Sequence, residues 1–176
     1  MTGDRSQEAL IVTGGPGDSA VARAFAGVLS RFHTLGLDSR EFSALRRRHL
    51  AGHADDETAP EAGGCDALRA EEHGELVELL LAHRADESRE TLWLAFTIAT
   101  ACLGDNHLWQ DMGLCGREEL SGLLRRHFTA LYERNVHNMK WKKFFYKELC
   151  RQAQVALCKA PSCRVCSDYA ACFGPE

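Results

Sequence analysis

Several features that would assign a function class at once are missing from this sequence. Its longest apolar run, Thr91 to Leu103, is interrupted by polar residues and falls well short of the ~20 residues that a membrane span needs. The first eight residues, Met-Thr-Gly-Asp-Arg-Ser-Gln-Glu, put acids where a secretory signal needs a basic stretch and then an apolar one. The chain is therefore expected to be soluble and cytoplasmic. Alternating β-branched runs and Asn-Gly hairpin turns are absent, which removes the usual signs of a sheet. Gly14-Gly15-Pro16-Gly17 is not followed by the Lys-Ser/Thr of a phosphate loop, and no Ser-His-Asp set, metalloprotease helix motif or dinucleotide fingerprint is recognisable. A carrier or binding protein is expected rather than an enzyme.

What remains is ordinary in size and composition. With 176 residues, 45% hydrophobic and 26% charged, the chain suits one globular domain. The apolar spacing predicts helices from about 18 to 32, 39 to 52, 66 to 84, 88 to 103, 117 to 134 and 138 to 157, with a further short turn at 107–111. Asp38 with Glu41 reads as a capping box, Asp86 or Ser88 as the cap of the fourth helix, and Gly36 and Gly104 as stops. The fourth helix is apolar on most sides and belongs at the centre. In the last, Trp141, Phe145, Leu149, Ala153 and Leu157 form one stripe, and Lys140, Lys143, Lys147 and Arg151 another. The fold class is all-α: a single bundle of about six helices over residues 17–157, after a flexible N-terminus (1–16) and before an irregular cysteine-rich tail (158–176).

Two distributions are unusual. Residues 1–133 carry 13 Lys+Arg and 22 Asp+Glu, a net of −9, whereas 134–176 carry 8 and 3, a net of +5. The basic end is also the cysteine-rich end. Of eight cysteines, four lie in the last 19 residues: Cys158, Cys163, Cys166 and Cys172. Disulfides do not persist in a reducing compartment, so such a cluster points to metal or redox chemistry. The spacing C-x4-C-x2-C-x5-C lacks the long spacer between knuckles of a zinc site. It is closer to the runs that hold iron–sulfur clusters, with zinc as the alternative. Thiolate clusters are anionic, and Lys147, Arg151, Lys159 and Arg164 would offset that charge, so the basic tail needs no nucleic acid to account for it.

Three further strings, His107–Leu114 (HLWQDMGL), Arg117–Ser121 (REELS) and Asn138–Cys150 (NMKWKKFFYKELC), followed by the cysteine run with Asp168-Tyr169 and Cys172-Phe173-Gly174, resemble the NifQ family over roughly residues 104–176. The resemblance implies a molybdenum–iron–sulfur cluster protein of nitrogenase cofactor assembly. It implies a donor of molybdenum for the iron–molybdenum cofactor, with the cofactor scaffold complex and the nitrogenase iron protein as partners and molybdate or another molybdenum source upstream. Cys158, Cys163, Cys166 and Cys172 are then the expected cluster ligands. Cys150 is a candidate fifth, and His107 a candidate nitrogen ligand. His127 and His137 are weaker candidates, Asp111 and Asp168 could orient a ligand, and Lys142-Lys143 could attract molybdate. Cys65 and Cys102 belong to loop and core. A zinc-stabilised interaction module and a [4Fe–4S] electron carrier are the competing functions.

Overall fold

The computed structural model describes residues 16–50 and 67–152. Eight α-helices follow one another: α1 (Pro16–Phe32), α2 (Ser39–His49), α3 (Ala67–Ala82), α4 (Arg89–Cys102), α5 (Leu108–Asp111), α6 (Arg117–His127), α7 (Thr129–Arg134) and α8 (Trp141–Gln152). There is no strand among the described residues, and none of the helices there is long and apolar enough to cross a membrane. The all-α class holds. The count exceeds the six helices expected because the 107–111 turn is a helix in its own right and the 117–134 segment is two.

α4 is the central rod. Ten of its fourteen residues are buried, and it lies against both α1 and α3, as a helix apolar on most sides must. Trp93, Leu94, Ile98 and Ala99 face Phe25 and Val28 of α1 and Leu76, Leu79 and Leu80 of α3 in one continuous core. Its threonines are reconciled with burial locally: Thr97 Oγ1 donates to the Trp93 carbonyl (2.8 Å) and Thr100 Oγ1 to that of Phe96 (2.9 Å). Ser88 caps the helix, its side chain accepting from the Thr91 N–H.

Asp38 caps α2 as expected, accepting from the Glu41 N–H at 2.8 Å. Glu41 does not complete a box. Its carboxylate instead receives two bonds from the Arg89 guanidinium (3.0 and 2.8 Å) and one from the Trp93 indole (2.8 Å), tying α2 to the start of α4. These donors hold the Glu41 carboxyl below the usual range. α1 ends at Phe32, four residues before Gly36, because His33 turns into the left-handed region (φ 59°).

The break between α6 and α7 has no proline or glycine behind it. The His127 carbonyl leaves the helical ladder to accept the Ala85 N–H at 2.8 Å, and Phe128, fully buried, adopts φ −137°, ψ 51°. Leu120, Leu123, Leu124, Phe128 and Leu131 all face inward, so the expected apolar face is intact although the rod is cut. In α8, Trp141, Phe144 and Phe145 are buried and Leu149 packs at the margin; Ala153 and Leu157 lie outside the described residues.

Candidate functional site

The short helix α5 is pinned against α1 by two glycines. A Cβ on Gly27 would stand 2.8 Å from the Gly113 Cα, and Gly113 itself has φ +66°, so the backbones touch where no side chain fits. This contact delivers Asp111, the last residue of α5, into the protein with 1% of its side chain exposed. A buried carboxylate must be paired. Asp111 is held from three sides: Arg31 of α1 at 2.8 Å, Lys142 of α8 at 2.6 Å, and Asn106, whose side-chain amide and backbone N–H donate at 2.9 and 3.1 Å. Lys142 also donates to the Gly104 carbonyl at 2.7 Å. The ion pair with Asp111 leaves only 17% of the Lys142 side chain exposed. Asp111 acts as the clamp that fixes α1, α5 and α8 to one another.

Next to the clamp lies a half-open cavity of about 320 Å³. Asn106 and His107 border it from the approach to α5, Arg117 from the first residue of α6, and Lys140, Trp141 and Lys142 from the start of α8. No carboxylate is among its lining residues. Arg117 is oriented by the loop before α8: its Nη2 donates to the carbonyls of Asn138 and Met139, both at 2.8 Å, and to the Asn138 side chain at 2.7 Å. Apart from Asn106, every residue lining the cavity comes from the three strings His107–Leu114, Arg117–Ser121 and Asn138–Cys150. Those strings, dispersed along the sequence, meet here.

Of the candidate ligands, His107 lies at this cavity. It is half-buried at the head of α5, with its backbone N–H donating to Gln110 Oε1 at 3.1 Å. Cys150 is half-buried in the last turn of α8, nine residues beyond Trp141 and so roughly 13 Å along the helix axis from the cavity end. The structure does not bring Cys150 and His107 together. Cys158, Cys163, Cys166 and Cys172 lie outside the described residues, as do Cys65, Asp168, Lys159 and Arg164. Among the described residues no group of three or more His, Cys, Asp or Glu could hold a metal ion. Cys102 is core, its thiol pushed up to about 12 by burial, which makes it inert. His137 is exposed. His127 is a buried structural group: its Nδ1 stands 2.8 Å from Thr91 Oγ1, and its Nε2 lies 3.9 Å from Glu90. The basic stripe of α8 is not uniform. Lys140 turns to the cavity, Lys147 is exposed, and Arg151 pairs with Glu148 at 3.1 Å.

The cationic cavity itself escaped sequence reasoning, although a signal for it exists. Helix N-termini carry positive partial charge and favour acids, yet α8 has no acid in its first turn and opens on Lys140, Lys142 and Lys143. Positive charge against a positive helix end is unfavourable unless something negative stands near, and Asp111 answers Lys142 there.

The NifQ family profile matches residues 18–174, well beyond the 104–176 stretch in which the resemblance is plainest. The chain is 46% identical over 155 residues to Protein NifQ of Azotobacter vinelandii, covering 82% of this chain and 79% of that one. It is 38% identical over 146 residues to Protein NifQ of Rhodobacter capsulatus, covering 81% and 77%, and equally identical over 146 residues to that of Klebsiella pneumoniae, covering 79% and 85%. No solved structure is significantly similar to it. The chain belongs to the NifQ family, whose members are implicated in nitrogenase-related molybdenum processing.

Proposed function

We propose that this protein is a carrier that holds molybdenum within an iron–sulfur cluster and donates it for assembly of the nitrogenase iron–molybdenum cofactor. The observation that carries this reading is the coincidence of family membership across residues 18–174 with the run Cys158-x4-Cys163-x2-Cys166-x5-Cys172. Thiolates are soft donors that select iron–sulfur clusters, zinc or copper(I), and four of them within 15 residues suit the corners of a cluster. The cluster is cargo here: it keeps molybdenum in a sulfur-ligated form ready for transfer. The helical body supports the carrier role by anchoring the tail through α8, whose last turn bears Cys150. The recipients proposed are the cofactor scaffold complex and the nitrogenase iron protein, in the cytoplasm, with no turnover chemistry by this chain.

The test is iron and molybdenum per chain after anaerobic reconstitution, in the wild type and in Cys163→Ser, Cys166→Ser and Cys150→Ser. A serine hydroxyl is a harder and far less acidic ligand than a thiol. Both metals are expected in the wild type. Cys163→Ser and Cys166→Ser should lose most of the iron, since the two-residue spacing fixes both sulfurs toward one centre. Cys150→Ser should keep more of it. Full iron and molybdenum in both tail variants would overturn the tail as the cluster site. A colourless protein holding zinc would favour an interaction module, and iron without molybdenum an electron carrier.

A further inference from the structure

Apart from His107, a candidate nitrogen ligand, the cavity bordered by α5, α6 and α8 has no part in the cluster reading, and its chemistry is distinct from that of the tail. It offers no sulfur. It offers Arg117, Lys140 and Lys142 with His107 and Asn106, and no lining carboxylate. Asp111 beneath it neutralises only part of this charge, since Arg31 and Lys142 already share that one carboxylate. We propose that this cavity is a binding site for a tetrahedral divalent oxyanion, and that the oxyanion is molybdate; the choice of molybdate over sulfate or phosphate rests on the carrier reading above.

Four observations converge on it. First, donors remain. The bonds of Arg117 to the 138–139 backbone all leave from Nη2, and a guanidinium has five N–H donors, so Nε and Nη1 carry no other partner among the described residues. Lys142 spends two of the three N–H bonds of its ammonium on Gly104 and Asp111. Second, these groups are held in place. Arg117 is braced by the chain before α8 and Lys142 by the clamp, so binding an anion does not require ordering two long side chains, which would otherwise weaken affinity. Third, the first residues of α6 and α8, Arg117 and Trp141, border the cavity, and the positive ends of both helices add to the attraction for an anion. Fourth, a volume of about 320 Å³ lies at the small end of ligand sites. It suits a four-oxygen ion with part of its hydration shell. Trp141, which is 5% exposed, lends an apolar wall that strengthens the charge interactions beside it.

The experiment is equilibrium dialysis of the full, metal-free chain against molybdate at low ionic strength, with parallel sulfate and phosphate arms. The same measurement is made on Lys140→Gln, Arg117→Gln, Arg117→Lys and the variant in which Cys158, Cys163, Cys166 and Cys172 are all serine. One molybdate per chain is expected in the wild type and in the four-serine variant. Lys140→Gln should weaken it roughly tenfold, the loss of one charge-assisted contact. Arg117→Gln should weaken it at least as much, and Arg117→Lys less than Arg117→Gln. Arg117 also braces the loop before α8, so Lys140→Gln, whose helicity should match the wild type, is the decisive variant. Unchanged affinity in Lys140→Gln, or binding that disappears only in the four-serine variant, would overturn the cavity as the site. Sulfate or phosphate binding as tightly as molybdate would keep an oxyanion site and overturn molybdate as its ligand. Failure of the carrier reading shows separately, as absent iron and molybdenum in the reconstituted wild type, and leaves the dialysis result standing.

Discussion

Two buried polar regions of this protein solve the same problem in opposite ways. In α4, polar groups at the centre of the core are neutral and satisfied within their own helix: Thr97 and Thr100 bond the carbonyls four residues back. At the corner where α1, α5 and α8 meet, the buried group is a full charge, Asp111, and its partners come from elements 80 and 31 residues away in sequence. The first arrangement costs little and can be removed with little consequence. The second is a committed structure, because burying a carboxylate is favourable only while its cations stay in place. The difference teaches where each kind of information sits. The α4 core holds the helices together. The Asp111 corner fixes where the positive charge beside it stands.

The largest expected effect breaks that corner. Asp111→Ala leaves Lys142, itself mostly covered, without its carboxylate, and strands the Asn106 donors. Removing one partner of a buried ion pair costs about 3–5 kcal/mol, so a fall of that size in denaturant-unfolding free energy is expected. A loss under about 1 kcal/mol would mean that the corner is solvated and the clamp is not one.

A smaller effect concerns the start of α4, where His127 of α6 meets Thr91. Burial holds the His127 imidazole below its ordinary 6.5, against the pull of Glu90 and Asp86 and with Arg126 adding to the lowering. His73, against Thr100, is lowered by burial in the same way. The unfolded chain therefore takes up these protons first as pH falls through about 6.5. Stability should be complete above that range and decline as pH drops toward the lowered native values. Unfolding midpoints at pH 7.5 and 5.5 should differ more for the wild type than for His127→Gln. An identical drop in both would place the acid sensitivity elsewhere.

The smallest effect is expected at the core of α4. Thr97→Val keeps the side-chain shape and removes a hydroxyl whose acceptor, the Trp93 carbonyl, still has its own helical bond. The change in stability should stay within about 1 kcal/mol, read from the same denaturant curves. A loss approaching that of Asp111→Ala would erase the contrast between the two regions.

Much of this architecture is legible along the chain because it depends on neighbours. The spacing of Val21, Phe25 and Val28, or of Leu120, Leu123 and Leu124, marks the face of a helix that must be buried, and all six are buried. Asp38 and Ser88 cap helices because a side chain reaches an N–H three residues on. The four tail cysteines stand out by spacing alone, but they lie outside the described residues. Tertiary structure decided the rest, wherever the partner is distant in sequence. Nothing near Glu41 says that its carboxylate will leave the capping box for Arg89 and Trp93. Nothing near His127 says that its carbonyl will turn to Ala85 and split one expected helix into α6 and α7. Lys142 reads only as half of a Lys142-Lys143 pair that could attract an anion until Asp111 is placed beneath it. Arg117, His107 and Lys140 read as three unrelated positions until the fold brings the starts of α5, α6 and α8 to one cavity. Helices and caps arise from contacts within a turn or two, which a sequence displays directly. A buried ion pair and a charged cavity arise from chain closure over tens of residues, and only the packed core fixes which of many such closures occurs.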